Sequence, residues 1–174
     1  MKANRILVPL DGSALAEMAL PNVLEMLSED AGATLNLLRA AEAPAVPAID
    51  PIEAQVAVIH EAESYLEGVA DRLREQGIKE VMTSVWYSTA AKAILEAARV
   101  RRVDLIVMST HGRSGLRRAL HGSVAESVLR RTRTPILLVS AGGAVDSARA
   151  RRQATRSTAA PPADASGWKS TSSM

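Results

Sequence analysis

Short aliphatic runs alternate with amphipathic helical segments along most of this chain, and that alternation restricts its fold more than any other feature. The runs lie at residues 5–10, 34–40, 80–86, 104–109 and 134–139. Each is brief, rich in Leu, Ile and Val, and bounded by turn or polar residues, the pattern of strands buried on both faces. Between them, Leu15, Ala19, Leu20, Val23, Leu24 and Leu27 mark one helical face, which Pro21 is expected to kink or break. Ile52, Val56, Ile59, Ala62, Leu66, Val69 and Leu73 step by three and four along a second, longer helix. Pro51 stands near its start and Gly77 at its end. A third helix carries Ala93, Ile94, Ala97 and Ala98 after a Ser88 or Thr89 cap, and a fourth spans about 123–131. Strict alternation of this kind predicts a single doubly wound α/β domain over residues 1–141. It has a five-stranded parallel sheet, strand order 3-2-1-4-5, and helices on both faces. Pro44, Pro47 and Pro51 predict an extended loop before the long helix. Residues 142–174, dominated by Ala, Ser, Thr, Arg and Pro without periodicity, are expected to be a disordered tail.

Composition removes several classes of function. The chain lacks Cys, so disulfides, thiolate metal sites and cysteine nucleophiles are excluded. Residues 1–142 hold 16 Lys and Arg against 17 Asp and Glu, while residues 143–174 hold 5 against 2. The basic excess thus belongs to the tail, and the domain lacks the charge of a nucleic-acid-binding body. No apolar run approaches the length of a membrane span, and the first residues lead straight into a strand without a signal-peptide pattern, so a cytoplasmic location is expected.

Open α/β sheets bind ligands beyond the carboxyl ends of their strands, where the strand order reverses. Two strand ends suit that role. The first is Val8-Pro9-Leu10-Asp11-Gly12-Ser13. The second is Met108-Ser109-Thr110-His111-Gly112, which leads to Gly122-Ser123-Val124 at the start of a helix. Glycines allow close backbone approach, a helix N-terminus favours an anion, and Arg113, Arg117 and Arg118 add positive charge. The same residues also suit a plain turn and a solvated basic face, and Asp11 equally suits a helix cap.

The run from Met108 to Arg131, the Thr134-Pro-Ile-Leu-Leu-Val strand and the opening Ile6-Leu-Val-Pro-Leu-Asp-Gly-Ser resemble the universal stress protein family, over about residues 3–140. Nucleotide-binding members of that family carry G-x2-G-x9-G-[ST]. This chain has Ser109-x2-Gly112-x9-Gly122-Ser123, with Ser in place of the first Gly. It also has Tyr87-Ser88-Thr89-Ala90 where the family often has a Gly-x-Pro stretch. The resemblance implies an ATP site, with or without Mg2+. Pro9, Leu10 and Asp11 would face ribose and adenine, and Ala40 the adenine edge. Met108, Ser109, His111 and Gly112 would line the crevice, and Gly122, Ser123 and Val124 would hold phosphates. It also implies a stress-response or signalling module that acts as a homodimer.

The dimer has a basis in the strand order too. The fifth strand, with Ile136, Leu137, Leu138 and Val139, would be an apolar edge that a second copy could cover. Three functions remain open on the sequence: a nucleotide-binding module, a dimeric relative that works through protein partners without nucleotide, and an ATP-using enzyme. The chain has neither a Walker G-x4-G-K-[ST] nor a G-x-G-x-x-G after the first strand. His60, His111 and His121 are not spaced as metal ligands, and no nucleophile with its base is evident, which disfavours the enzyme.

Overall fold

The computed structural model describes residues 3–29, 32–42, 50–110, 123–140 and 145–146. The expected loop prolines Pro44 and Pro47, and the candidate residues His111, Gly112 and Gly122, lie outside them.

The strands are β1 (Arg5–Pro9), β2 (Thr34–Ala41), β3 (Val81–Tyr87), β4 (Leu105–Thr110), β5 (Ile136–Ser140) and β6 (Val145–Asp146). The first five run parallel, as the alternating pattern predicts, in the expected order β3-β2-β1-β4-β5. Side chains alternate across the sheet and divide the core into two layers. Ile6, Val8, Leu35 and Leu37 face α2 (Leu20–Glu29) and α3 (Pro51–Glu75). Leu7, Leu38, Ile106 and Met108 face α4 (Ala90–Val100) and α5 (Ser123–Arg131). This two-sided burial explains the near-continuous aliphatic strands.

Local chemistry sets the helix ends. The first amphipathic segment is divided: α1 (Ala14–Glu17) stops before α2 begins. Pro21 has no N–H to give to the Glu17 carbonyl and its ring would crowd that oxygen, so a continuous helix cannot cross this point. The break therefore falls ahead of the proline, which sits in the first turn of α2. In α3, the Asp50 carboxylate accepts the Ile52 N–H at 2.7 Å and Pro51 takes the first helical position. Gly77 beyond its end holds φ +95°, a conformation that favours glycine. Thr89 precedes α4 without a side-chain cap bond.

The edge of the sheet departs from expectation. Val145–Asp146, within the segment expected to lack structure, forms β6 and pairs antiparallel with β5 at Leu138↔Asp146 and Val139↔Val145. The fifth strand is thus not the bare edge predicted. Its outward backbone groups find partners a few residues further along the same chain, which is a local solution to the edge problem.

Two truncations separate the tail from this strand. Removing residues 147–174 is expected to leave the melting temperature within about 2 °C of the full chain, less than about 1 kcal/mol would produce. Removing 141–174 takes β6 as well and is expected to raise self-association in sedimentation velocity. Equal association of the two chains would show that β6 does not shield the edge.

Candidate functional site

The site begins with an interruption between two central strands. β1 and β4 pair only at Ile6↔Leu105 and Leu7↔Ile106, while β1 continues beside β2 to Pro9↔Leu38 and β4 beside β5 to Thr110↔Ser140. The Leu10 N–H donates to the Leu38 carbonyl on β2 at 2.8 Å. Because backbone groups alternate sides along a strand, the Pro9 nitrogen faces β4. Having no hydrogen, it cannot extend that ladder. The two strands part there, at the point where the strand order reverses.

A crevice of about 290 Å³ opens in this gap. Every described candidate residue lines it: Pro9, Leu10, Asp11, Ala40, Met108, Ser109, Ser123 and Val124. Leu10 and Met108 are buried; Asp11 and Ser123 are exposed at the mouth. His111, Gly112 and Gly122 lie outside the described residues, so the central part of the Gly motif has no placement here.

Sequence reasoning missed part of the wall. Leu15 and Ala16 of α1, Leu38 of β2, Ala90 and Ile94 of α4, and Thr110 also line the crevice. Leu38 was within reach of the sequence, because it shares a strand face with Ala40 two residues on. The α1 residues were not, because their position depends on the helix break. Ala90 and Ile94 occupy the first turns of α4, after the stretch where the family's Gly-x-Pro was expected.

The electrostatics centre on Asp11. Its Oδ1 accepts the Ser13 N–H at 2.9 Å and the Ser13 hydroxyl at 2.6 Å. The Ser13 Oγ in turn accepts the Ala16 N–H at 3.1 Å and so caps α1. Asp11 is therefore tied into a turn and lines the crevice, while the cap of α1 is Ser13. Partial burial pushes its pKa up, but the Ser13 hydrogen bonds, its own N–H and the Arg39 charge together outweigh burial and hold it below the ordinary aspartate value. Asp11 is the one titratable side chain among the described lining residues. Glu126, the acid nearest Ser123 on α5, instead pairs with Arg130 at 2.6 Å. No cluster of three or more His, Asp or Glu suited to a metal occurs among the described residues. His60 is an exposed residue on α3.

A parallel sheet parted at its switch point, with an apolar slot behind one anchored carboxylate, is the architecture of a doubly wound α/β domain, and such crevices are where open α/β sheets commonly bind ligands. The sequence matches the Universal stress protein family over residues 2–140. The chain belongs to that family. Universal stress protein MJ0531 of Methanocaldococcus jannaschii is 31% identical over 140 residues, covering 78% of this chain and 81% of that protein. A universal stress family protein from Burkholderia pseudomallei is 31% identical with a TM-score of 0.61, covering 78% of this chain and 95% of that one. An Arabidopsis thaliana member of the family, solved with AMP bound, shares the fold at 16% identity and a TM-score of 0.59, covering 79% and 91% of the two chains. No helix among the described residues is long and apolar enough to cross a membrane.

The Ser13 hydrogen bonds have a measurable consequence. A carboxylate with a depressed native pKa adds stability that is full above its unfolded pKa and is lost as pH falls through the native value. Carbon-13 titration is expected to place Asp11 below an ordinary aspartate. Ser13→Ala should move it upward, shrink the acid-labile part of the stability, and cost about 1 kcal/mol at neutral pH through the lost cap. An unchanged Asp11 titration in Ser13→Ala would contradict the assigned cause.

Proposed function

We propose that this chain is a nucleotide-binding module that holds ATP, with or without Mg2+, in the crevice between β1 and β4. The observation that carries this reading is the convergence of β1, β2, β4 and α5 residues on one slot with the right division of chemistry. Leu10, Leu38, Ala40, Ile94 and Met108 offer apolar walls to a purine. Asp11 lines the crevice at its exposed mouth, and an ionised carboxylate has acceptor sites enough to take a ribose hydroxyl beside its Ser13 bonds. Ser123 stands at the start of α5, where free N–H groups and the helix dipole favour a phosphate. Of the motif's remaining positions, Gly112 and Gly122 match the spacing of nucleotide-binding relatives, and Ser109 supplies a small half-buried residue where they have Gly. Mg2+ would travel with the phosphates, since it is commonly held by substrate oxygens and few protein ligands. The Arabidopsis protein of the same fold, with AMP bound, supports the adenine reading.

The module acts by binding, not turnover. A hydrolase needs a group that positions or deprotonates water. The only described acid in the crevice is Asp11, and its lowered pKa makes it a weak base. Signalling would follow from nucleotide-dependent contacts in a cytoplasmic homodimer. The apolar Ile136, Leu137, Leu138 and Val139 strand remains the proposed dimer edge, and β6 would have to move aside for a partner strand there. The second reading, a dimer that works through protein partners without nucleotide, draws support from Ser109 in the first Gly position.

In a thermal-shift assay, ATP at about 100 times its dissociation constant should stabilise the protein by about 2.7 kcal/mol. Gly122→Val and Asp11→Asn should each lose most of that shift while melting close to the parent without ligand. Absence of any shift in the parent at millimolar Mg-ATP would favour the partner-only reading; a full shift in Gly122→Val would place the phosphates elsewhere. Light scattering at high micromolar concentration is expected to give the mass of a dimer, and a stable monomer would remove the dimer from the proposal.

A further inference from the structure

Arg39 is an unusual residue for its place. It lies on β2 next to Ala40, yet its side chain is on the opposite face of the sheet and does not line the crevice. The side chain is only 15% exposed. Its guanidinium faces Gly12 across a space the size of a methyl group: a Cβ there would be in ordinary contact with Nη1 and Nη2 at 3.6 Å and with Cζ at 3.7 Å. Three nearly equal distances mean that the guanidinium turns its flat face, and not its edge, toward that space. Gly12 has φ +89°, so the turn between Asp11 and Ser13 depends on this residue and leaves the cation room.

The cation is itself held on two sides. Nη2 donates to Glu61 Oε2 at 2.9 Å, and Cζ lies 5.0 Å from the centroid of the Tyr65 ring. Tyr65 donates its hydroxyl to Glu17 Oε1 at 2.9 Å, and Arg72 donates to Glu17 Oε2 at 2.7 Å. Burial, the bond to Glu17 and the nearby carboxylates raise the Tyr65 pKa well above its ordinary value, so the phenol remains a donor. Thus both ends of one short segment are approached: Arg39 of β2, braced by Glu61 and Tyr65 of α3, faces the Asp11-Gly12-Ser13 turn, and Tyr65 and Arg72 of α3 hold the last residue of α1. That segment supplies Asp11, Ser13, Leu15 and Ala16 to the crevice. An exposed ion pair alone would contribute little. A largely buried planar guanidinium that faces a backbone turn and lies over an aromatic ring is a different device, and lysine cannot reproduce it.

We propose that Arg39 is a positioning residue for the ligand site, holding the Asp11-Gly12-Ser13 turn from behind so that the Asp11 carboxylate faces the crevice. Glu61 and Tyr65 fix the guanidinium in that place. The ligand side of this inference rests on the nucleotide-binding reading above; the turn-holding side does not.

A double-mutant cycle on the full chain tests it, with ADP and ATP affinities measured by calorimetry. Arg39→Met keeps the aliphatic stem and removes the cation. It is expected to weaken binding by about 3- to 10-fold in the parent and to have almost no effect in Asp11→Asn, the non-additivity of residues that act as one unit. Arg39→Lys should fail to restore the parent affinity. Equal weakening in both backgrounds would make Arg39 a general attractor of phosphate charge and would overturn the proposal. Glu61→Gln, at a side chain 66% exposed, should fold normally and weaken binding in the same direction by a smaller factor. Amide exchange in the ligand-free protein gives a readout independent of nucleotide. Ser13 and Ala16, whose N–H groups bond within this turn, should exchange faster in Arg39→Met, while amides of β2 and β4 keep the parent rates. If the parent binds no nucleotide, the proposed function falls and the exchange rates alone decide: unchanged Ser13 and Ala16 overturn the positioning role.

Discussion

The early end of the β1–β4 ladder is the constraint on which the rest of this structure depends. Two pairs join the strands, and then Pro9 presents a nitrogen without a hydrogen toward β4. A residue able to donate there could carry the ladder further and close the sheet over the present crevice. Instead, β1 stays with β2, β4 stays with β5, and their carboxyl ends separate. The apolar side chains that would otherwise be core, Leu10, Leu38, Ile94 and Met108, become the floor and walls of a slot. The polar ends of the same strands, Asp11 and Ser109, become its rim.

The surroundings serve to keep that gap in one shape. On one face, α4 and α5 pack against Leu7, Leu38 and Ile106, and the start of each helix contributes to the crevice wall. On the other, α3 runs beneath β2 and β3 and reaches the β1–α1 turn through Arg39, Glu61, Tyr65 and Arg72. The division of the first helix at Pro21 fits the same scheme. A single straight helix would carry Leu15 and Ala16 off in the direction of α2, whereas the short α1 lies over the strand ends. Stability sits in the two aliphatic layers; the proposed recognition falls at the rim, in short segments held by polar contacts.

Much of this was legible in the sequence because buried parallel strands leave a strong trace. The aliphatic runs and the Pro51 and Gly77 boundaries of α3 follow from periodicity and turn chemistry, and the parallel sheet with helices on both faces follows from the alternation; the strand order was expected as one of those that doubly wound sheets adopt. The candidate residues on β1, β2, β4 and α5 were found by joining strand-end position to a family-like motif, and those described share one crevice. Legibility fell where the outcome depended on tertiary contact. Nothing in a two-residue segment announces β6; it exists because β5 offers an open edge. The helix break was expected at Pro21 itself, but the clash acts four residues back, on Glu17. Arg39 is one of three polar residues in β2, with Thr34 and Asn36, and only the placement of Gly12 and Tyr65 sets it apart.

Methyl NMR of the full chain during an AMP titration tests the central claim most directly, because it reports where an adenine ligand sits without assuming a role for any motif. Occupation of the β1–β4 crevice predicts saturable shifts at the methyls of Leu10, Ala40, Ile94 and Met108, with Val69 and Leu73 on the buried face of α3 nearly still. Shifts confined to another surface, or no shift at saturating AMP, would contradict a nucleotide site at the parted strands.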